Sequence, residues 1–471
     1  MTRLYFEITD IVEYAKANDH VSGIQRVQVR LIASLARKHG GHQIICTYWN
    51  HQTNQYFQIP ADELFSTDSF NPKELLVKLR AIKQSWPVDK TDVKKYLNKF
   101  NYRGPRRVLK KAEIYLKAIF LKNSLKNFNI KPGDSKRYKA SNRVKPIEAL
   151  PENAILAFLG ANWNDPKIME VGRRHRQSGG QVVQMIYDLI PHTAPEYFNQ
   201  GLARAFDEFL AGTPDYVTKF TCISDWTASD LQTYIATIPN YQPSIHTTPL
   251  AHEFAGHPRN QANQAPSDKT LLTIAKSAGF VLCVGTIEIR KNGANLLRAW
   301  LKVIAEHRNP PTLVFAGKFG WKTDEFNSIL ANNPQLAEYV TLINNPTDQD
   351  LAFLYQKCRF NVYPSLYEGW GLPVGEAAWF GKFSLTSSAT SLPEVCGDLV
   401  DYVDPKDVSS MSQKLIELIN HPTYIQEKEK IIRSAPLRTW QSVADDFYSR
   451  AIETKHPAHS KIPEDSRRYG N

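Results

Sequence analysis

Two glutamates sit eight positions apart in the stretch YPSLYEGWGLPVGEAAWFG, residues 363–381. Glu368 precedes the run Gly369-Trp370-Gly371-Leu372-Pro373, and Glu376 follows it. FNVYPS, just before, reads as a strand, and Pro373 suits the first turn of a helix. Glu376 then lies one turn inside that helix, so both carboxylates can face one cleft. The glycines leave backbone N–H groups uncovered at the helix start, which favours an anion such as a phosphate. Two carboxylates around an anion site suit a ligand that also offers hydroxyl donors, as a sugar or a ribose does. A tight turn with a solvated glutamate on each side would need no ligand at all. Gly369, Gly371 and Gly375 lack the dinucleotide spacing, and Pro373 interrupts them.

A second pair of chemical interest, Arg290 and Lys291, sits at an expected helix start in VGTIEIRKN, residues 284–292. Cations there oppose the helix dipole, so a bound anion explains them better than solvation does. A glycosidase built on Glu368 and Glu376 would have no use for them.

These groups need a frame. A chain of 471 residues is too long for one ordinary core, and its 42% hydrophobic and 11% aromatic content is that of a globular protein. TRLYFEITD and HQIICTYWN read as strands around a helix through VQVRLIASLARKHG, which Gly40 ends. Apolar runs resume at AILAFLGA, QVVQMIYDLI and YVTKFTCIS. A polar, proline-containing stretch over residues 251–270 reads as a linker. Alternation restarts with GFVLCVGTI and runs to KFSLTSS. The expectation is α/β: two parallel-sheet, Rossmann-like domains over 1–255 and 270–430, facing a cleft. A helix within 431–455 is expected to pack back on the first domain, and 456–471 to be a frayed tail.

The ordered set of motifs resembles the retaining GT-B glycosyltransferases of glycosyltransferase family 4. The Glu-x7-Glu element in EGWGLPVGE is that family's hallmark, and VGTIEIRKN, VFAGKFGW, DQDLAFLYQKC and SLPEVCGD surround it in order. SGIQRV and YDLIPHTAPEYF resemble its first domain more weakly. The resemblance implies a nucleotide-sugar donor held mainly by the second domain, without a bound metal or other cofactor. Glu376 would take the ribose hydroxyls and Glu368 those of the sugar. Backbone groups from Gly369, Trp370, Gly371, Leu372 and Pro373 would hold sugar and phosphate. Arg290 and Lys291, with Lys318 as a weaker candidate, would neutralise the diphosphate. Gly23 would let a first-domain loop approach the donor phosphates or the acceptor without a side chain in the way, and Gly285 counts among the donor-binding residues. Where the family commonly has Gly-Arg-Leu, this chain has Gly285-Thr286-Ile287; where it has a histidine before its Asp, this chain has Tyr187. Asp188 is then the first-domain polar group expected near the acceptor, or else a helix-capping carboxylate. His192 reads as structural or acceptor-facing.

The implied reaction is retaining transfer from a nucleoside-diphosphate sugar, GDP-mannose favoured, to a saccharide or lipid-linked saccharide in surface polysaccharide or lipopolysaccharide assembly. A UDP- or dTDP-sugar donor is the alternative, and a non-catalytic sugar-binding or membrane adaptor protein is the reading from another class. The formal charge of +11 is local: residues 71–145 hold 22 Lys and Arg against five Asp and Glu, and the remainder is net negative. This basic, helical insert, about 61–150, includes an amphipathic helix over 105–123. Its candidate partner is an anionic membrane surface; a basic face that is merely solvated is the simpler reading. No nucleic-acid motif accompanies it. Five scattered cysteines and the lack of a secretory signal or a membrane span suggest a cytoplasmic protein, peripheral on the membrane at most.

Overall fold

The computed structural model describes residues 3–18, 23–51, 53–65, 70–79, 81, 140–254, 256–259, 265–274 and 279–452. The expected helix at 105–123 and the tail at 456–471 lie outside them.

Two sheets form the frame. The first runs β4-β3-β2-β1-β5-β6-β7-β8. Its strands are β1 (Leu4–Glu7), β2 (Ile44–Asn50), β3 (Gln55–Pro60), β4 (Lys145–Ile147), β5 (Ile155–Phe158), β6 (Gln181–Ile186), β7 (Lys219–Cys222) and β8 (Ser244–Thr247). The second runs β11-β10-β9-β12-β13-β14. It is built from β9 (Phe280–Val284), β10 (Thr312–Ala316), β11 (Val340–Ile343), β12 (Phe360–Tyr363), β13 (Ser384–Ser387) and β14 (Asp401–Val403). The second sheet is wholly parallel. β1, β5, β9 and β12 are buried at every residue, as expected of parallel strands covered on both faces.

Two departures from the sequence pattern concern the first domain and the linker. β3 and β4 add an antiparallel edge to the first sheet, and β4 does so from within 61–150, which reads as helical. β4 is a three-residue Lys-Pro-Ile edge strand, too short and too exposed to show an alternation. The stretch expected as a polar linker instead starts with buried anchors: Ala251 and Phe254 are each 1% exposed. Phe254 packs its ring against Tyr355 and Phe380 of the second domain.

Three helices matter most for the site. α1 (Ile24–His39) buries Val27, Leu31, Ile32 and Leu35 along one face and ends at Gly40, with Arg37, Lys38 and His39 in its last turn. α2 (Leu372–Trp379) follows the Glu368 turn. α3 (Trp440–Ile452) returns to the first domain, where Phe447 meets Phe6 and Tyr448 stacks on His39 at 4.0 Å. The outgoing and returning strands of the chain are tied to each other. His252 N donates to the Arg438 carbonyl at 2.9 Å, Arg438 N donates to His252 Nδ1 at 3.0 Å, and Trp440 N donates to Glu253 at 2.8 Å.

Candidate functional site

The C-terminal ends of both sheets meet, and the glutamate turn lies where they do. Gly369 touches the first domain so closely that a Cβ there would sit 1.9 Å from the Tyr187 carbonyl oxygen. Only glycine fits. Gly371 is needed for a different reason: its φ is 115°, and a Cβ would strike Leu392 at 2.4 Å. Ser391 Oγ donates to the Glu368 carbonyl at 2.8 Å and fixes the turn from below.

Glu368 is 7% exposed and anchors a cationic cluster. Its Oε2 pairs with Arg290 Nη1 at 2.9 Å and its Oε1 with Lys291 Nζ at 2.5 Å. Tyr363 donates its hydroxyl to Oε1 at 2.9 Å and accepts from Lys291 at 2.7 Å. Burial alone would raise the Glu368 pKa; Arg290 and Lys291 more than offset it and hold it at about 2. Arg290 also donates to Glu288 at 2.7 Å and to the Tyr367 carbonyl at 2.8 Å, while its Nε is buried without a partner. The two cations sit on a 3-10 turn, Ile289–Lys291. Asn292 ends that turn in the left-handed region and ties it down by donating to the carbonyls of Pro364 and Pro405. Carboxylates thus already face both cations, and the one Arg290 nitrogen left without a partner, Nε, is buried.

Glu376 faces elsewhere. Its Oε1 accepts from Arg26 Nη1 at 2.8 Å and its Oε2 from Tyr355 at 3.0 Å. Burial raises its pKa against the pull of Arg26. Arg26 stands in the first turn of α1, lies over the Phe254 ring, and donates its other Nη to Asp348 at 2.7 Å. One guanidinium of the first domain therefore spans two carboxylates of the second. The two glutamates, expected to face one cleft from opposite sides of a ligand, differ in what holds them. One holds the cations of its own domain, and the other is held by the opposite domain.

The remaining candidates separate. Asp188 is brought to the cluster: Arg290 and Lys291 pull its pKa down and Glu368 pushes it up, though burial dominates and raises it. It also accepts from Ile190 N at 3.0 Å, so it caps the following turn as well. Tyr187 turns its hydroxyl into the first domain, donating to the Leu159 carbonyl at 2.8 Å. His192 pairs with Asp207 at 2.7 Å on the surface. Gly285, φ 146°, lies under Lys291 and Tyr363. Gly23 precedes α1 at φ 54°, with open space where a side chain would be. Trp370 is 4% exposed and joins the hydrophobic core, so its ring serves packing, and Leu372 and Pro373 open α2 half-buried. Lys318 is exposed, and its carbonyl accepts from Ile287 N at 2.9 Å. Sequence reasoning missed Arg26, Glu288, Tyr355 and Tyr363. Arg26 had a signal, standing three residues after Gly23 in SGIQR; the others are placed only by packing.

The chain superimposes on sucrose-phosphate synthase from Thermosynechococcus elongatus with a TM-score of 0.55 at 14% identity, over 96% of this chain and 98% of that one. The fold is GT-B. Residues 267–438, which contain both glutamates and both cations, match the family model described as Glycosyl transferases group 1. Over 245 residues the chain is 31% identical to O-antigen chain mannosyltransferase B of Escherichia coli, covering 52% of this chain and 62% of that protein. Over 208 residues it is 28% identical to the serotype-specific mannosyltransferase WbdA of Escherichia coli, covering 43% of this chain and 25% of that protein. The chain thus spans less than two thirds of the length of either relative. Among the described residues no helix is long and apolar enough to cross a membrane.

Proposed function

We propose that this GT-B protein is a retaining glycosyltransferase. It transfers a sugar, mannose first among candidates, from a nucleoside-diphosphate sugar to a saccharide or lipid-linked saccharide in surface polysaccharide assembly. The carrying observation is the buried Arg290–Lys291–Glu368 cluster, set at the seam of the two domains within the glycosyl transferases group 1 match. The mannosyltransferase relatives favour the sugar, and O-antigen chain mannosyltransferase B favours the polysaccharide setting.

The chemistry follows from fixed charge. As the bond from the anomeric carbon to the donor phosphate breaks, negative charge grows on the leaving diphosphate. Arg290 and Lys291, held rigid by Glu368 in a dry site, stabilise that charge without reorganising. The acceptor hydroxyl attacks from the face the leaving group vacates, its oxygen bonds to the anomeric carbon, and its proton passes to the departing phosphate oxygen. Configuration is retained and no protein nucleophile is needed. Glu376 receives the ribose hydroxyls beside Arg26, Glu368 contacts the sugar, and Asp188 stands on the acceptor side.

Thermal shift with GDP, UDP and dTDP, followed by transfer from GDP-mannose to an α-linked oligomannoside, tests the proposal. A ligand at a hundred times its Kd stabilises by about 2.7 kcal/mol. Stabilisation by GDP and transfer with retained configuration are expected; no stabilisation by any of the three would overturn the reading.

A further inference from the structure

The loop after β10 carries two large aromatic side chains in the open beside the cationic cluster. Phe319 is 45% exposed and Trp321 44%. Loose loops expose apolar groups as a matter of course, but this loop is tied on both sides. Toward the cluster, Phe319 bridges Ile287, Ile287 N donates to the Lys318 carbonyl, and Gly320 N donates back to Ile287, each bond 2.9 Å. Ile287 is three residues before Arg290. A Cβ on Gly320 would meet Thr286 at 2.7 Å, so the loop lies flat against that segment. Toward the first domain, the Trp321 indole N–H donates to the Tyr197 carbonyl at 2.8 Å, and its ring lies 6.0 Å from that of Phe198. Lys322 donates to the Glu196 carbonyl. Tyr197 is in turn near enough to Arg290 to feel its charge. It ends the segment that starts at Asp188.

Two exposed rings on a loop pinned by hydrogen bonds, beside the half-buried rings of Tyr197 and Phe198 and next to a reaction centre, have a specific use. The face of an aromatic ring is electron-rich and attracts the positively polarised C–H groups that cover one side of a pyranose. Hydroxyls at the sugar's rim stay in water or find backbone groups. We propose that Tyr197, Phe198, Phe319 and Trp321 form a stacking platform for a neutral saccharide acceptor and lead its terminal hydroxyl towards Asp188 and Arg290. One end of the platform is the backbone that carries the cations, so a saccharide lying on it is continuous with the site of transfer. The platform rests on the glycosyltransferase reading and extends it to the acceptor side.

The test uses the full chain and a linear α-mannotriose as probe, with binding read by saturation-transfer NMR and GDP binding by thermal shift on the same preparations. Phe319→Ala and Trp321→Ala are expected to weaken mannotriose binding at least tenfold and to leave the GDP shift unchanged. Trp321→Phe, which keeps a ring and loses the N–H, is expected to stay within about threefold of wild type. Mannotriose that fails to bind the wild-type chain, or binds all variants equally, overturns the platform. Equal loss in Trp321→Phe and Trp321→Ala also overturns it, since the tether to Tyr197 would then be what matters. Mannotriose binding that follows the aromatic variants in a chain that ignores GDP, UDP and dTDP would sink the glycosyltransferase reading and leave the platform standing.

Discussion

Replacing Glu368 by glutamine separates charge from shape at the centre of the site. The side chain is 9% exposed, so solvent screens its ion pairs little. Its pKa falls from an ordinary 4.5 to about 2 in the folded protein. At about 1.4 kcal/mol per unit, the charged form is favoured by roughly 3 kcal/mol. The sign is that of a depressed carboxyl: this stability is fully present above pH 4.5 and is lost as pH falls through about 2. Glu368→Gln forfeits it at neutral pH and leaves Arg290 and Lys291 with only Glu288 and the more distant Asp188 as carboxylate neighbours. The variant should therefore unfold at lower temperature than wild type, by a margin that narrows below pH 4.5. Nucleotide binding should move the other way. A diphosphate then supplies the missing negative charge, so saturating GDP should raise the melting temperature of Glu368→Gln by more than it raises that of wild type. Transfer should fall on the order of a hundredfold, because the cations lose the brace that places them. Differential scanning fluorimetry with and without GDP, beside a GDP-mannose transfer assay, reads all three. A GDP shift smaller than wild type, or an unchanged transfer rate, would refute the idea that Glu368 holds the cations for the phosphates.

Glu376→Ala should weaken GDP binding at least tenfold, about 1.4 kcal/mol. Arg26→Ala should weaken it less, and the double variant should be less than additive, because Arg26 acts on the nucleotide through Glu376; additive losses in isothermal titration would break that link. Gly369→Ala must move the Tyr187 carbonyl away from the turn, since its Cβ would lie 1.9 Å from that oxygen. Transfer should drop about a hundredfold while GDP affinity stays within threefold, and equal loss of both would place the effect within the second domain. His252 is kept below its ordinary 6.5 by burial, and its Nδ1 accepts from Arg438 N. A lowered histidine contributes stability above pH 6.5 that is lost as pH falls through its folded value. Thermal melts should therefore show wild type losing more stability than His252→Asn between pH 7.5 and 5, and parallel curves would disprove it.

Much of the fold was legible because most of its parallel strands are short, largely apolar runs separated by amphipathic helices, and both periods are local. β9, β10 and β12 each stand where the pattern puts them. The edge strands β3 and β4 were not legible, because pairing between residues 56 and 147 leaves no trace in either segment alone. The same distinction runs through the site. The glutamates, the glycine turn and the Arg290-Lys291 pair lie within nearby stretches whose residue types already suggest phosphate and hydroxyl chemistry.

Sequence by itself determined that two carboxylates flank a glycine turn at a helix start, and that two cations stand at the mouth of another strand of the same domain. Tertiary structure alone decided their partners. Arg26 and Glu376 are 350 positions apart, and only the closing of two domains joins them. Gly369 must be glycine because of the Tyr187 carbonyl, an atom of the other domain. Asp188 acquires Arg290 as a neighbour in the same way. Local backbone geometry is written in residue types a few positions apart, whereas the field at a buried charge depends on every group that packing brings near it.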